Sequence, residues 1–393
     1  MQIMKASNQW ATRPAEERFW DLGELHAHCK AVHAQAAEST VALGDLRVEA
    51  DNADLKLVGK QNVPATISHF AFGQLAARVK APAGYLRGLP PTLAAQNLNH
   101  GLKELGAASD TKSRLLLHRN GSLVLRAATS EKYSRVWNDE LVGRVMEVLP
   151  DGWRAPPARP AGKANERTRT ATADDTVRLS QHLGLAVKEG DTIAPAGLYA
   201  SDKDMFMFLI NENDPISDGT AHPLFRGMML WNSEVGDMSL GGMAFLLKGI
   251  CGNHIVHDAT NVFEFNFRHV GKVQSRTNSA LDVEIKKYAE SSATEQTTKI
   301  EAAKRMVLGA TKTEVIEAVL GFARSKKLAG LNEPVLSAAY DKAEEHASWY
   351  GVGPKTVYGM VNGLTEISQK TTSHTDDRMA IDKAAGRVME LAF

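Results

Sequence analysis

The residues that could do chemistry in this chain are cationic and aromatic side chains at the end of a predicted hairpin. Arg126 lies in its second strand, and Lys132, Tyr133, Arg135 and Trp137 follow within a short distance. Proteins hold single-stranded nucleic acid with cations that contact phosphates and rings that stack on bases. The same pattern also fits rings that belong to the core and cations that are merely solvated. The sequence leaves both interpretations open.

A second basic stretch, residues 154–175, has the composition of a linker or mobile loop. It is rich in Pro, Ala and Thr, and cations predominate in its first part. So polar a segment is not expected to support a core of its own. It would either lie on a phosphate backbone or serve as a tether. Its candidate phosphate contacts are Arg154, Arg159, Lys163, Arg167 and Arg169, and a later strand adds Arg226.

A polar turn near the middle of the chain is the third candidate. Residues 227–232 are apolar, which predicts a strand buried on both faces. Residues 239–250 carry apolar side chains at helical spacing, which predicts a helix with Ser239 as its N-cap. Between them, Glu234 and Asp237 could bind magnesium or cap that helix by complementing its dipole. The possible functional turn comprises Asn232, Ser233, Glu234, Asp237 and, beyond the predicted helix, Asn253.

Other groups of potential ligands give weaker signals. Cys251, His254 and His257 lack the paired spacing of a structural zinc site. No Gly-rich phosphate loop, dinucleotide fingerprint or Gly-x-Ser-x-Gly elbow occurs in the sequence. We therefore predict no metal ligand, no cofactor and no catalytic residue. The sequence favours a protein that is not an enzyme without deciding the matter.

Composition limits how the chain could reach a charged partner. Its 46 basic and 46 acidic residues give a formal net charge of +0, so binding to nucleic acid requires a local patch. The N-terminal residues lack the apolar core of a signal peptide, and no run is long and apolar enough to span a membrane. With only two cysteines, a reducing compartment is expected. We predict a cytoplasmic protein without membrane contact.

The elements around these sites predict an α+β protein. Asn120-Gly121 between two apolar strands is typical of a type I′ hairpin, and helices with capping residues are predicted from Ser68 and Thr311. We predict a mostly antiparallel sheet with helices on one side, followed by an all-helical C-terminal region. The predicted domains are a mainly helical segment at 1–110, an α+β core at 111–276 that contains the loop at 154–175, and a helical region at 277–393.

Several segments together resemble phage- and plasmid-associated proteins that carry domain of unknown function nine-three-two. They include residues 82–91 (PAGYLRGLPP), 232–236 (NSEVG), 251–253 (CGN), 358–365 (YGMVNGLT) and 382–389 (DKAAGRVM). NSEVG is the most specific of these. The chain departs from the family pattern at Gly252 and His254, where Thr and Gly are expected. The resemblance implies a mobile-element origin and a bacterial cytoplasm, and it supplies no catalytic residues.

The order of the predicted elements also resembles the core of Rad-type single-strand annealing recombinases. Those proteins form rings and hold single-stranded DNA in a basic groove without hydrolysing it, an analogy that rests on element order. Our first hypothesis is therefore a DNA-metabolism protein of a phage or plasmid that binds single-stranded nucleic acid and forms a homo-oligomer. One alternative is a metal-dependent nucleic-acid enzyme that uses Glu234, Asp237, His254 and His257. Another is a non-catalytic assembly or host-interaction protein whose C-terminal helices bind a partner.

Overall fold

The computed structural model describes residues 14–52, 54–108, 111–162, 166–183, 187–220, 223–248, 255–256, 263–370, 381 and 384–393. Within these ranges the chain is a mixed α and β protein, with antiparallel sheets in its N-terminal and middle parts and helices in its C-terminal region. The predicted α+β class is confirmed. None of the helices in these ranges is both long and apolar enough to cross a membrane.

The described strands range from two to nine residues in length. They are β1 (Arg18–Phe19), β2 (Ala36–Ala42), β3 (Arg47–Asp51), β4 (Asp54–Val58), β5 (Pro64–Ile67), β6 (Lys112–Asn120), β7 (Ser122–Ser130), β8 (Trp153–Arg154), β9 (Arg159–Pro160), β10 (Arg169–Thr170), β11 (Thr192–Ala194), β12 (Leu198–Ala200), β13 (Met205–Asn211), β14 (Leu224–Asn232), β15 (Leu240–Lys248), β16 (Ile255–Val256) and β17 (Glu264–Phe267).

The helices surround these strands and then form the C-terminal region. They are α1 (Leu22–Ala34), α2 (His69–Arg78), α3 (Ala83–Arg87), α4 (Pro91–Ala108), α5 (Asn138–Val148), α6 (Ala173–Leu183), α7 (Val273–Ser279), α8 (Lys286–Glu290), α9 (Ala293–Arg305), α10 (Lys312–Ser325), α11 (Glu333–Glu345), α12 (Ala347–Tyr350) and α13 (Val357–Lys370). Ser68 and Thr311 cap α2 and α10 as predicted.

A six-stranded sheet combines the N-terminal strands with the predicted hairpin. Its strand order is β2-β6-β7-β5-β4-β3, and β5 and β7 are its parallel neighbours. The sheet therefore crosses the domain boundary predicted at residue 110. The hairpin β6–β7 turns at Gly121, whose φ of +70° is easily reached by glycine. Leu75, Leu98 and Leu125 belong to the core between this sheet and its helices.

A β-bulge in the hairpin decides where Arg126 points. Leu116 pairs with Ala127 and Leu117 pairs with Leu125, so Arg126 is the extra residue of β7. A bulge places two successive side chains on one face of a sheet. Leu125 faces the helix-covered core, whereas Arg126 and Ala127 face the other way, toward the polar turn that follows β14.

An eight-stranded sheet forms the centre of the molecule. Its main path is β1-β12-β13-β14-β15-β16, with β8 beside β13 and β17 beside β15. The strand predicted at residues 227–232 is confirmed within β14, which is buried along its whole length. Helices α1 and α5 and the helical segments that follow residue 273 contribute to the core on one face of this sheet.

The helix predicted at residues 239–250 is wrong, because Leu240–Lys248 forms β15, antiparallel to β14. Its apolar residues satisfy helical spacing, but they equally suit a strand buried on both faces. Gly241 fits this place in the sheet because a Cβ there would lie 2.2 Å from Cζ2 of Trp231. Ser239 consequently caps no helix.

The predicted linker at residues 154–175 takes part in the fold. In its described residues, β9 and β10 flank β11 in a three-stranded sheet, and α6 begins at Ala173. Ala158 and Ala171 pack with Val187 and Ile193 in a small apolar cluster. The segment obtains its core from residues further along the chain, which its own composition does not reveal.

The C-terminal helices form a second core. Leu336, Val361 and Leu364 pack together there, and Leu246 of the eight-stranded sheet joins them. The helices α11 and α13 approach so closely that a Cβ on Gly363 would lie 2.1 Å from the carbonyl oxygen of Ala339. This region is therefore joined to the central sheet by shared apolar contacts.

Candidate nucleic-acid interface

Glu234, in the polar turn after β14, is a buried structural joint. Its side chain is 3% exposed, and its Oε2 accepts a hydrogen bond from Nη1 of Arg126 at 3.3 Å. Its Oε1 accepts the backbone N–H of Asn138, the first residue of α5, at 2.9 Å. Glu234 therefore joins β7, β14 and the N-terminus of α5. The capping role predicted for Glu234 at a helix over residues 239–250 is wrong, because those residues form a strand; Glu234 instead accepts the first N–H of α5.

Asn232 and Ser233 fix the same turn from inside. The Asn232 amide donates to the carbonyl oxygen of Val136 and to Oδ1 of Asn138, at 2.9 and 2.7 Å. Ser233 Oγ accepts the backbone N–H groups of Gly236 and Asp237 and donates to a backbone carbonyl. The Asn232 amide nitrogen and the Ser233 hydroxyl are thus bonded within the protein, whereas the buried Oδ1 of Asn232 has no hydrogen-bond partner in the described chain.

The turn does not gather metal ligands among the residues that the structure describes. Asp237 is exposed, and both carboxylate oxygens of Glu234 are already bonded. No group of three or more His, Cys, Asp or Glu side chains within the described ranges could hold a metal ion. The predicted candidates Asn253, His254 and His257 lie outside those ranges.

The predicted group of cations and rings is divided in the structure: Arg126 and Arg135 are buried, Tyr133 and Trp137 are half-buried, and Lys132 is exposed. The Arg135 side chain is 1% exposed, and its Nε donates to Oε1 of Glu38 at 2.7 Å. Its guanidinium lies 5.3 Å from the ring centre of Tyr133 and 5.5 Å from that of Trp137. The Trp137 ring stacks on His33 at 3.8 Å. Both rings therefore contact protein groups, as the second interpretation expects for them, but Arg126 and Arg135 are buried rather than solvated.

His269 packs against this buried group. Its ring stacks on Tyr133 with 5.0 Å between ring centres, and Nδ1 lies 3.2 Å from the carbonyl oxygen of Ser134. Burial lowers the pKa of His269 to about 4; the bond to Ser134 opposes that shift, and the Arg135 guanidinium adds to it. The imidazole is therefore neutral at neutral pH.

We predict that the free energy of unfolding falls as the pH is lowered from about 6.5 toward 4. The unfolded His269 takes up a proton near pH 6.5, whereas the folded side chain stays neutral down to about 4. For a base whose pKa is depressed on folding, the group's contribution to the free energy of unfolding is fully present above the unfolded pKa and is lost across this window. The full loss is about 3 kcal/mol, at about 1.4 kcal/mol per pKa unit.

Urea denaturation at a series of pH values measures this effect, with His269→Gln as the matched variant. Burial also lowers the pKa values of His28 and His118, so both proteins keep some pH dependence of the same sign. The variant should lose the part that belongs to His269. Parallel profiles for the two proteins would contradict the prediction.

The arginines of the predicted basic loop are neutralised by carboxylates. The pKa of Asp175 shows how strong this pairing is. Burial alone would raise that pKa, but hydrogen bonds from Arg169 and Thr172 lower it to about 2. Lys163 lies outside the described residues. The pairs are Arg154 with Glu212, Arg159 with Glu166, Arg167 with Glu24, Arg169 with Asp175, and, from β14, the buried Arg226 with Asp214.

Four other cations are exposed and free of ion pairs within the described chain, and we call them the basic surface: Lys132, Arg268, Lys272 and Arg276. The segments that carry them lie side by side. Tyr133 forms a β-bridge with Val270, and the backbone N–H of Ser134 donates to the carbonyl oxygen of His269 at 2.8 Å.

The arrangement of the basic surface is partly fixed by Arg276. Its Nη2 donates to the carbonyl oxygens of Arg268 and Val270 at 3.3 and 3.2 Å, and its guanidinium lies 5.0 Å from the ring centre of Phe267. Of these four cations the sequence had singled out only Lys132. A signal for the others was present, because residues 267–276 (FRHVGKVQSR) place a cation at every fourth position and contain no carboxylate.

Comparison with family models, curated proteins and solved structures found no match. The resemblance to phage and plasmid proteins therefore stays a prediction. The function has to be argued from the basic surface and the groups that hold it.

Proposed function

We propose that this protein binds single-stranded nucleic acid through the basic surface and does not hydrolyse it. The observation that carries the proposal is the contrast between two sets of cations. The arginines at 154, 159, 167, 169 and 226 are paired with carboxylates, whereas the four cations of the basic surface have no such partner in the described chain. Unpaired cations on adjoining segments attract phosphates even on a protein without net charge.

The position of the Arg276 guanidinium over the ring of Phe267 favours binding of single strands over duplexes. A guanidinium held over the Phe267 ring offers a flat, charged plane on which an unpaired base can stack. The exposed side chain of Val270 lies beside it and adds an apolar contact. Bases in a duplex are already stacked on one another, so only their edges are available.

The proposal predicts a definite salt dependence. For single strands the slope of log K against log salt concentration is about −0.7 per neutralised phosphate, so four contacts give a slope of roughly −3. Fluorescence anisotropy with a labelled oligo-dT from about 50 to 200 mM salt measures it. A slope near zero, or equal affinity for a duplex of the same length, would overturn the proposal.

The remaining parts of the proposal follow the sequence resemblance. We place the protein among DNA-metabolism proteins of phages or plasmids, in the cytoplasm of a bacterial host. Self-association stays a prediction, and light scattering with and without the oligonucleotide tests it. The metal-dependent alternative is less favoured because Glu234, one of its four candidate residues, is already bonded to Arg126 and to the first amide of α5.

A further inference from the structure

One edge of the six-stranded sheet, strand β2, presents free backbone groups. The backbone N–H of Arg119 donates to Gln35 and that of Leu43 donates to Thr111, one at each end of the β2–β6 ladder. Hydrogen-bonded pairs alternate in an antiparallel ladder. The odd-numbered residues of β2 therefore bond to β6, and the even-numbered ones point their N–H and C=O groups away from the sheet.

Those outward groups have no partner within the described chain. They belong to Ala36, Glu38 and Thr40, and β6 is the strand with which β2 pairs in the described residues. The sequence of β2, AAESTVA, contains neither the lysine nor the proline that commonly protects an edge strand. Its one charged side chain, Glu38, is bound by Arg135.

The opposite edge of the same sheet is protected. The backbone N–H and C=O of Val48 in β3 are both bonded by the side-chain amide of Asn99 in α4, at 2.7 and 2.8 Å. Arg47 and Glu49 place charges on either side of that bond. The contrast between the two edges indicates that β2 is kept open for pairing with another strand.

A cleft of about 940 Å³ runs beside the open edge. Its wall includes residues 34–37 and 39–42, both odd and even positions, so the backbone edge itself borders the cleft. Leu115, Leu117 and Leu123 contribute an apolar floor. A strand added to β2 would extend the sheet beside this cleft and place every second side chain on the face of the sheet that these leucines line.

The charges around the cleft identify the kind of strand that fits. Its lining contains three cationic side chains and one carboxylate, Lys60, Lys112, Arg119 and Asp45, which gives 3 − 1 = +2. Lys112 and Arg119 stand near the two ends of β6. At ~3.3 Å per residue they are about 23 Å apart along the strand. These positions favour an extended segment with acidic residues at both ends.

We propose that β2 and its cleft bind an extended peptide segment of a partner protein, with apolar side chains at alternate positions and acidic ends. Main-chain bonds to an open edge provide affinity in this mode of recognition, and pockets for alternate side chains provide specificity. A second copy of this chain fits less well, because pairing two β2 edges would bring the positively charged cleft of one copy close to that of the other. Nucleic acid fits less well because the lining contains no aromatic ring.

The test uses the full chain and a labelled ten-residue peptide with Val or Leu at alternate positions between glutamates. Thr40→Pro removes one outward N–H and leaves the ladder to β6 intact, as proline at a solvent-facing edge position allows. We expect it to weaken binding at least about tenfold. Thr40→Val keeps the N–H and should bind as the wild type does, and circular dichroism verifies that both variants fold.

A charge-reversal pair gives a second, independent arm. Lys112→Glu with Arg119→Glu should lose the acidic peptide and gain a peptide whose ends are lysines. Arg114→Glu, a cation of the same strand that does not line the cleft, should change neither affinity. Unaltered binding by Thr40→Pro, or by the reversed pair, would overturn the proposal.

Two further outcomes would also overturn it. If Thr40→Pro converts an oligomer into a monomer and the wild type binds no peptide, the edge pairs with a second copy. If oligo-dT competes with the peptide and the reversed pair loses both ligands, the cleft is a nucleic-acid site. The variants lie outside the basic surface. A negative result with the peptide therefore does not bear on the proposed nucleic-acid function, which the salt-dependence experiment tests separately.

Discussion

Replacing Glu234 with Ala is expected to lower the free energy of unfolding by about 3–5 kcal/mol. The substitution leaves the Arg126 guanidinium, 9% exposed, buried without its carboxylate. It also removes the acceptor of the first backbone N–H of α5, a capping bond that by itself contributes about 1 kcal/mol. Urea denaturation followed by circular dichroism measures the change.

Two other variants show whether the buried charge is the cause. Glu234→Gln keeps an oxygen for the Asn138 N–H and should lose less stability than Glu234→Ala. Glu131→Ala removes an exposed carboxylate and should stay within about 0.5 kcal/mol of the wild type. Equal losses in Glu234→Gln and Glu234→Ala would show that the charge on Glu234 contributes little.

A double-mutant cycle separates the pair from its surroundings. Arg126→Ala alone leaves Glu234 buried without its cation, so it should also destabilise strongly. The double variant should cost clearly less than the sum of the two single variants, because each residue in contact carries part of the same interaction. Additive losses would mean that the two side chains act independently.

The contacts of Glu234 also show which features of the fold could be predicted from the sequence and which could not. The hairpin β6–β7 and the caps of α2 and α10 depend on residues only a few positions apart, and all three are found. The partners of the arginines are distant instead. Glu234 is 108 residues from Arg126, and Glu24 is 143 residues from Arg167. A local excess of cations therefore does not show which of them remain unpaired after folding.

The error at β15 has a related cause. Leu240, Met243, Leu246 and Leu247 satisfy the spacing of one helical face, yet each also faces one side or the other of a sheet that is buried on both sides. Only the neighbouring strand distinguishes the two cases, because Gly241 leaves the room that Trp231 occupies. Periodicity alone could not decide between helix and strand here.

Reversing the charge of the basic surface should reduce affinity for oligo-dT at least about 100-fold at moderate salt. The variant changes all four cations to glutamate. Each lost phosphate contact removes counterion release, and each new carboxylate repels the backbone. A loss of this size corresponds to about 2.7 kcal/mol, which four contacts of less than 1 kcal/mol each would supply. The set is Lys132→Glu, Arg268→Glu, Lys272→Glu and Arg276→Glu.

The control must change the net charge by the same amount elsewhere. Four exposed lysines without ion pairs, dispersed over the described chain, serve this purpose: Lys30, Lys103, Lys188 and Lys355. Their change to glutamate should reduce affinity by less than about threefold, because solvent-exposed charges that do not contact the oligonucleotide are largely screened by salt. It should also leave the salt slope unchanged.

The comparison distinguishes a site from a general effect of charge. If both quadruple variants lose affinity equally, oligo-dT responds to the whole molecule and the basic surface has no special role. If only the first variant loses affinity, and its salt slope falls toward zero, the phosphates bind at the basic surface. The arginines that are already paired with carboxylates cannot produce the second result, because their charge is neutralised in the folded protein.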